Sequence, residues 1–326
     1  MNPALSVVVL TVLIGVGQGL FLALFTAQSY ALFGLLPERE GHALYAQGAG
    51  LALLFLCAGL IASFFHLGRP ERAWRSAAQW RSSWLSREVL VLPAFMAVVF
   101  FYGAAQLFDW RPVLVLLPSG LLIDAQTVLG ALGSVLALAL FLCTGMIYAC
   151  LRFLREWHTP LTVANYILLG SASGFTLAAA LAAFTAPELV GFFAGWAAIL
   201  TLLGLASHLA WLSRNSRLKP KSSLQSAIGV KHPLIRQTAM GFMGGSFNTR
   251  EFFHRAKGPL LRALNLLSLG GAFLLPSALL LGVFRLAPAT LLAAFLLQCC
   301  GLLAERWLFF ARAKHPQNLY YQELVG

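Results

Sequence analysis

Eight long apolar stretches follow one another along the chain, and each is about as long as the hydrocarbon core of a lipid bilayer requires. A bilayer core about 30 Å thick takes about 20 apolar residues per helix. The stretches run at about 5–36, 43–66, 88–108, 121–151, 162–186, 188–212, 259–285 and 288–311. Because an unpaired backbone group is costly in lipid, each stretch is expected to form a helix that crosses the membrane.

The composition excludes the other broad classes. The chain is 59% hydrophobic and only 10% charged, against roughly 25% charged residues in a soluble protein. The runs are continuous rather than alternating, which argues against a transmembrane β-barrel. The first stretch lacks a basic leader and a small-residue cleavage site, so we expect it to be a retained span. The sequence therefore predicts an all-α integral membrane protein, with residues 1–326 forming a single domain of eight transmembrane helices.

Lysine and arginine are distributed very unevenly between the two sides of such a bundle. Twenty lie in the termini and loops on one side, while Arg39, Arg111 and Arg285 lie on the other. By the positive-inside rule, the N- and C-termini and the basic interfacial loop at 68–87 are predicted to be cytoplasmic. The net charge of +12 then reflects this bias and an attraction for anionic membrane lipid, and it does not imply nucleic-acid binding.

The segment 213–258 is much longer than a simple helix connection and is rich in basic and polar residues. We interpret it as a long cytoplasmic loop for docking a partner protein. Asn248 with Glu251 three residues later is the pattern of a short capped helix. Its phenylalanines are expected to be exposed among basic residues, which favours a protein contact over open water; these are Phe242, Phe247, Phe252 and Phe253.

Small residues within the spans predict close helix packing. Gly15, Gly17 and Gly19 recur in the first stretch, and Gly170 and Gly174 in the fifth. Glycines at such spacing let two backbones approach each other in a membrane. We therefore interpret them as packing surfaces.

The five cysteines lie in apolar stretches and include no C-x-x-C pair. Iron–sulfur clusters and structural zinc sites need several thiolates or imidazoles at matched spacing. No metal site is therefore predicted in this chain, and the cysteines are interpreted as small buried hydrophobic residues.

Polar residues inside or at the margins of the spans are functional candidates, because placing them in lipid is costly. Counting 1.5 Å per residue along spans of alternating direction puts five of these candidates near the cytoplasmic boundary. These five are His66, Glu88, His208, Glu305 and Arg306. The candidates are Gln18, His66, Glu88, Asp124, Gln126, His208, Glu305 and Arg306.

Each candidate also has a structural explanation. His66 has the position of a residue at a helix C-terminus, and Ser86 with Glu88 resembles an N-terminal cap and a first-turn acid. Asp124 is placed to cap the fourth span. His208 could simply bond a carbonyl group, and Glu305 and Arg306 could simply neutralise their neighbours in the bundle.

Taken together, the residues near the cytoplasmic boundary fit a quinone site. Such a site needs an apolar wall, a donor for a carbonyl oxygen and groups that exchange protons. His66 and Glu88 could meet if the second and third spans are neighbours, and Arg69 or Arg306 could stabilise negative charge on an oxygen. Trp74, Trp80 and Trp84 mark the headgroup level, at which a quinone slot can open to lipid.

Two segments carry a family resemblance. "HLGRPERAW" at 66–74 and "SWLSREVL" at 83–90 resemble the H-L-G-x-P-x-R-A-aromatic and S-x-E segments of DmsC-type membrane anchor subunits. These are the integral subunits of three-part dimethyl sulfoxide reductases and related molybdenum enzymes. The Gly17–Gln18 pair and "GLLAERWLFF" at 301–310 are further matches.

The resemblance implies an anchor in the bacterial inner membrane that exchanges electrons between menaquinone or ubiquinone and an iron–sulfur subunit, which serves a molybdopterin catalytic subunit. It transfers the proton-exchange roles of the quinone site to His66 and Glu88. Gln18, Arg69, Glu305 and Arg306 are implied as further quinone-pocket residues. The resemblance implies no haem in this chain.

The predicted orientation departs from the dimethyl sulfoxide reductase arrangement, whose catalytic subunits are periplasmic. A related complex with the same type of anchor and a cytoplasmic catalytic pair oxidises sulfite and reduces quinone. The orientation therefore favours the sulfite-oxidising direction, with menaquinol oxidation by a dimethyl sulfoxide reductase as the close second.

Two other classes remain open at this stage. A haem b cytochrome anchor would need paired histidines, for which His66 and His208 are the candidates. A secondary transporter would show repeats with helices broken near the midplane, and Pro276 is the main breaker in the sequence.

Overall fold

The computed structural model describes residues 1–36, 42–116, 118, 122–220, 222–236, 251–254, 256–282 and 286–320. Within these ranges, eight helical segments are long and apolar enough to cross a membrane. The prediction of an all-α integral membrane protein is confirmed.

The principal elements have the following bounds. They are α1 (Leu5–Leu32), α2 (His42–Phe64), a 3₁₀ helix (Pro70–Ala77), α3 (Trp84–Leu107), β1 (Val113–Leu116), β2 (Leu122–Asp124), α4 (Ala125–Ala149), α5 (Pro160–Thr185), α6 (Val190–Ser216), α7 (Leu224–Ile228), α8 (Gly258–Leu269), α9 (Leu275–Leu280) and α10 (Pro288–Ala311).

Helices α1 and α5 are the most buried of the spans and cross each other through glycines. A Cβ atom placed on Gly19 would lie 2.1 Å from the carbonyl oxygen of Gly170, and one placed on Gly174 would lie 2.0 Å from the carbonyl carbon of Gly19. Only hydrogen fits at either position. This contact confirms that glycines of the first and fifth stretches form a packing surface.

The remaining spans surround this central pair. Helices α2, α4 and α10 contact α1, while α6 packs along α5, and α3 bridges α2 and α4. The main core lies between these helices and contains large side chains such as Phe21, Phe95, Tyr102 and Phe193. Phe21 meets Phe95 and Tyr102 edge-on, with ring centroids 5.5 and 5.1 Å apart.

The starts of α3, α4 and α5 are capped by hydroxyl or carboxylate side chains. Ser83 accepts a hydrogen bond from the backbone N–H of Ser86 at 3.3 Å. Asp124 accepts one from the N–H of Thr127 at 2.7 Å, which confirms its predicted capping role. The interpretation of Ser86 as the cap and Glu88 as a first-turn acid was wrong, because α3 begins at Trp84, four residues before Glu88.

The seventh span is not one regular helix. A π-helical turn at Gly270–Leu274 separates α8 from α9, and Pro276 lies in the first turn of α9. Proline has no N–H and clashes with the carbonyl four residues earlier. A wider turn directly before Pro276 relieves that conflict, because π turns insert an extra residue into the helix.

The fourth apolar stretch begins with a short hairpin rather than a helix. Strands β1 and β2 pair antiparallel, with Leu116 opposite Leu122. The side chains of Val113–Leu116 are exposed, as expected for apolar residues that face lipid or a partner. The prediction of a helix from 121 was therefore wrong at its first residues.

The N-terminus and the end of α10 meet at one end of the bundle. The Met1 ammonium group donates hydrogen bonds of 3.0 Å to the carbonyl oxygens of both Ala311 and Ala313. A second aromatic cluster lies at this end, beneath the loop after α4. Its largest buried members are Trp157, Tyr166, Trp211, Phe309 and Phe310.

Part of the predicted docking loop belongs to this packed end. Phe253 is buried, and the ring centroid of Phe252 lies 4.6 Å from that of His315. The expectation that these two phenylalanines are exposed was wrong, because their rings pack against the end of the bundle. The remaining pair and the Asn248 cap lie outside the described residues.

Candidate functional site

A small polar cavity lies inside the bundle where α1, α3, α4, α5 and α10 converge. Its volume is about 20 Å³, enough for about one water molecule. Leu10, Ile14, Phe141 and Leu302 contribute apolar walls. The polar side chains of the lining include Gln18, Glu88, Thr144, Tyr166, Ser173 and Arg306.

Glu88 places a carboxylate in this cavity from the second turn of α3. The Thr144 hydroxyl on α4 donates a hydrogen bond to Oε1 of Glu88. A hydrogen bond to a charged group in a poorly hydrated site is stronger than one between neutral groups. Thr144 therefore fixes the orientation of the carboxylate with respect to the cavity.

Arg306 approaches the same cavity from α10. Its guanidinium carbon lies 3.9 Å from the centroid of the Tyr166 ring, in the geometry of a cation–π contact. Nη1 of Arg306 lies 3.3 Å from Oε2 of Glu305, and both side chains are almost fully buried. A permanent positive charge is thus held at the cavity wall by an aromatic ring and a carboxylate.

Glu305 has a second partner on α6. Its Oε1 lies 3.4 Å from Nδ1 of His208, which is also buried. His208 packs between Trp211 and Phe273, with ring centroids 6.0 and 5.4 Å away. Removing one partner of a buried ion pair typically costs about 3–5 kcal/mol. The three groups therefore form one connected unit, in which a carboxylate faces Nδ1 of His208.

Gln18 lines the cavity from α1, and its side chain is buried. Its amide nitrogen donates a hydrogen bond of 2.9 Å to the carbonyl oxygen of Ala137 on α4. This bond links α1 to α4 and fixes the orientation of the Gln18 carboxamide.

Residues 1–244 match the protein family described as the DMSO reductase anchor subunit, DmsC. The chain belongs to this family. It is also 56% identical over 327 residues to a sulfite dehydrogenase subunit from Allochromatium vinosum, and the alignment covers 100% of both proteins. The predicted resemblance to DmsC-type anchors is confirmed.

The cavity brings together four of the six residues that were predicted for a quinone site. Gln18, Glu88 and Arg306 line the cavity, and Glu305 pairs with Arg306 directly behind its wall. These residues come from three helices that are distant in sequence.

His66 and Arg69 lie apart from the cavity lining. Both are exposed and follow the end of α2, before the 3₁₀ helix at Pro70–Ala77. Partial burial lowers the pKa of the His66 imidazole from its ordinary value. A neutral imidazole at pH 7 can accept a proton, so the chemistry of His66 is compatible with proton exchange at the bundle's margin.

Four polar residues of the site were not singled out from the sequence. Thr11, Thr144, Tyr166 and Ser173 line the cavity, but a hydroxyl in an apolar span usually bonds to its own helix. The Ser173 hydroxyl does so, donating a hydrogen bond of 2.9 Å to the carbonyl oxygen of Gly170. Thr144 bonds across to another helix, and the sequence contains no signal of that difference.

The end of this DmsC-family bundle at which Met1 meets the end of α10 is its basic end. It contains a much larger cleft, with a volume of about 920 Å³. Basic side chains line it from the loops after α4 and α6 and from the segment after α10, and they include Arg155, Lys219, Arg312 and Lys314. Glu156 adds one carboxylate. A cleft of this size and charge suits an acidic protein segment better than a small apolar ligand.

The α2–α3 loop pairs arginines with tryptophans. The guanidinium carbon of Arg75 lies 5.5 Å from the ring centroid of Trp74, that of Arg81 lies 5.3 Å from Trp80, and that of Arg87 lies 4.3 Å from Trp84. Trp74 and Trp80 are largely exposed. Such amphipathic rings beside cations are typical of the membrane interface.

Proposed function

We propose that this DmsC-family protein is the quinone-reactive anchor subunit of a three-subunit molybdoenzyme in the bacterial inner membrane. It exchanges electrons between the quinone pool and an iron–sulfur subunit, which connects to a molybdopterin catalytic subunit. The observation that carries the proposal is the convergence of Glu88, Arg306 and Gln18 on one cavity with apolar walls.

The donor set of the cavity fits a quinone head group. A quinone takes up two electrons and two protons when it is reduced to quinol. Arg306 supplies a positive charge and hydrogen-bond donors for a carbonyl oxygen. Glu88 supplies a carboxylate that can hold or release a proton, and Thr144 keeps that carboxylate in place.

The cavity must widen before a quinone head group can enter it. Small-molecule pockets usually span about 300–1,000 Å³, far more than the 20 Å³ found between the helices. Entry of a head group must therefore displace apolar lining side chains, for which Leu10, Ile14 and Leu302 are the candidates. The Gln18 and Glu88 side chains need not move, because each is held by a hydrogen bond to α4.

His66 and Arg69 complete the proposal at the outer margin. His66 is exposed and has a lowered pKa, which suits a group that passes protons between the aqueous edge and the quinone site. Arg69 lies three residues further on, in the basic loop at 68–87, and adds positive charge beside it.

Partner subunits dock on the basic end in this proposal. The positive-inside rule supports a cytoplasmic location for that end, where Met1 meets the end of α10. The cleft of about 920 Å³ and the described parts of the loop at 213–258 offer basic surface for an iron–sulfur subunit. The loop at 68–87 contacts membrane lipid through its exposed tryptophans.

We favour electron flow from sulfite into the quinone pool. Two points support this direction: the cytoplasmic orientation predicted for the basic end, and the similarity along the full chain to a sulfite dehydrogenase subunit. Oxidation of menaquinol by a dimethyl sulfoxide reductase would use the same anchor chemistry in reverse.

The test is quinone-linked turnover of the complete complex with Glu88→Gln. Removing a general acid–base group typically lowers turnover about 10²- to 10⁴-fold. Glu71→Gln is the matched control, because Glu71 is an exposed glutamate on the nearby 3₁₀ helix. His66→Gln is measured in parallel and is also expected to lower turnover. Wild-type turnover in Glu88→Gln would refute the proposed site.

A further inference from the structure

The guanidinium of Arg306 lines the cavity with its carboxylate partner directly beside it. Glu305 and Arg306 are consecutive residues on α10, and consecutive residues point to different faces of a helix. Their side chains bend toward each other to reach the observed 3.3 Å. A third group beside the carboxylate can favour that bent arrangement over others.

A second cation, Arg312, lies on the same side of the chain as Glu305. Arg312 lies seven residues further along the chain, about 10 Å along the helix axis and on nearly the same face. Burial lowers the pKa of Arg312, and the negative charge of Glu305 opposes that shift. Arg312 lines the large cleft and donates a hydrogen bond to the Asn265 side chain. Glu305 thus lies between a cation at the cavity and a cation at the cleft.

His208 lies beside Glu305 and favours one of these two cations, Arg306, as the partner of the carboxylate. Its Nδ1 is 3.4 Å from Oε1, while Oε2 faces Arg306. The imidazole is fixed between Trp211 and Phe273, so it cannot follow the carboxylate toward Arg312. Nδ1 faces Oε1 at ion-pair distance, so the imidazole favours the orientation of the carboxylate in which Oε1 points toward it.

We infer that His208 is a positioning residue for quinone binding: it anchors Glu305, and Glu305 in turn holds Arg306 at the cavity. This inference rests on the proposed quinone site. His208 contacts no lining atom itself and acts through two intermediaries. It should therefore change the affinity for quinone more than the chemical step.

The experiment compares His208→Phe with His208→Gln in the complete complex. We expect the phenylalanine variant to raise KM for decylubiquinone and menadione about tenfold and to change kcat less than twofold. Glutamine keeps a donor for the carboxylate and should bring KM back to within about threefold of wild type. His232→Gln, at an exposed histidine after α7, is the matched control.

A suppressor variant separates positioning from general stability. If the loss in His208→Phe comes from Glu305 turning toward Arg312, then adding Arg312→Gln removes the competitor and should lower KM again. A merely structural role for His208 predicts that the second substitution leaves KM raised or worsens it. Should His208→Phe fail to accumulate in membranes, His208→Asn, which is too short to reach Glu305, provides the same comparison.

The outcomes distinguish the two proposals. If Glu88→Gln and Arg306→Gln impair quinone turnover but His208→Phe and His208→Asn leave KM unchanged, the positioning role is refuted and the quinone site stands. If all four variants turn over quinone normally, the proposed function itself fails. The positioning role would also be overturned if His208→Phe lowered kcat by the same factor by which it raised KM and His208→Gln restored neither value.

Discussion

Substituting Gly174 by alanine adds one methyl group where α1 and α5 cross. That methyl carbon would lie 2.0 Å from the carbonyl carbon of Gly19 and 2.0 Å from the backbone nitrogen of Leu20. Carbon atoms in ordinary contact are about 3.5–4.0 Å apart, so the two backbones must separate by about 1.5 Å. Overpacking a core costs about 1–3 kcal/mol, and we expect at least the upper value because both obstacles are backbone atoms.

The separation should also reach the quinone site. Gly170 lies one turn before Gly174, and both Gly170 and Gly15 line the polar cavity. Moving α1 away from α5 shifts Gln18 on one side and Tyr166 on the other. We therefore expect a lower affinity for quinone as well as a smaller free energy of unfolding.

The assay is equilibrium unfolding of the purified protein in bicelles, together with calorimetric titration of decylubiquinone. Gly195→Ala on α6 is the matched control, because a Cβ atom there has no neighbour within 4 Å among the residues the structure describes. That control should be neutral or stabilising by about 0.5–1 kcal/mol, since alanine favours a helix over glycine. A Gly174→Ala variant as stable as the control would refute the close crossing of α1 and α5.

Two further predictions concern individual side chains. Thr144→Val removes the hydrogen bond to Glu88 and should lower the free energy of unfolding by about 1–3 kcal/mol in the same assay, whereas Thr144→Ser should stay close to wild type. For His66, the lowered pKa means that the unfolded chain binds a proton more readily than the folded protein. Stability should therefore rise with pH through the range just below the usual value of about 6.5. A pH series of unfolding curves in which wild type and His66→Gln keep the same slope would contradict this second prediction.

Hydropathy was sufficient to predict the number of spans and most of their boundaries. It failed at residues 122–124, which form the second strand of a short hairpin instead of the start of a helix. The residues of such a strand are as apolar as those of the helix beside it, so hydropathy alone cannot separate the two. The capping role of Asp124 was the local signal for a later start, because a cap lies just before its helix.

The sequence predicted the membrane depth of the site residues, but not the direction in which each side chain points around its helix axis. Counting residues correctly placed Glu88 and Arg306 near one level, because the rise per residue is fixed. The rotation of each helix depends on packing, such as the glycine contact between α1 and α5. His66 was predicted at the same depth as Glu88, but it follows the end of α2 and is exposed. That difference decides which residues share the cavity.

The most direct test of the quinone site is a structure of the complete complex with a bound quinone analogue. The head group should lie among α1, α3 and α10, with a carbonyl oxygen within about 3 Å of the Arg306 guanidinium and the ring beside the Glu88 carboxylate. Leu10, Ile14 or Leu302 should have moved to admit it. A head group bound elsewhere, with Glu88 and Arg306 still enclosing the small cavity, would contradict the proposed function.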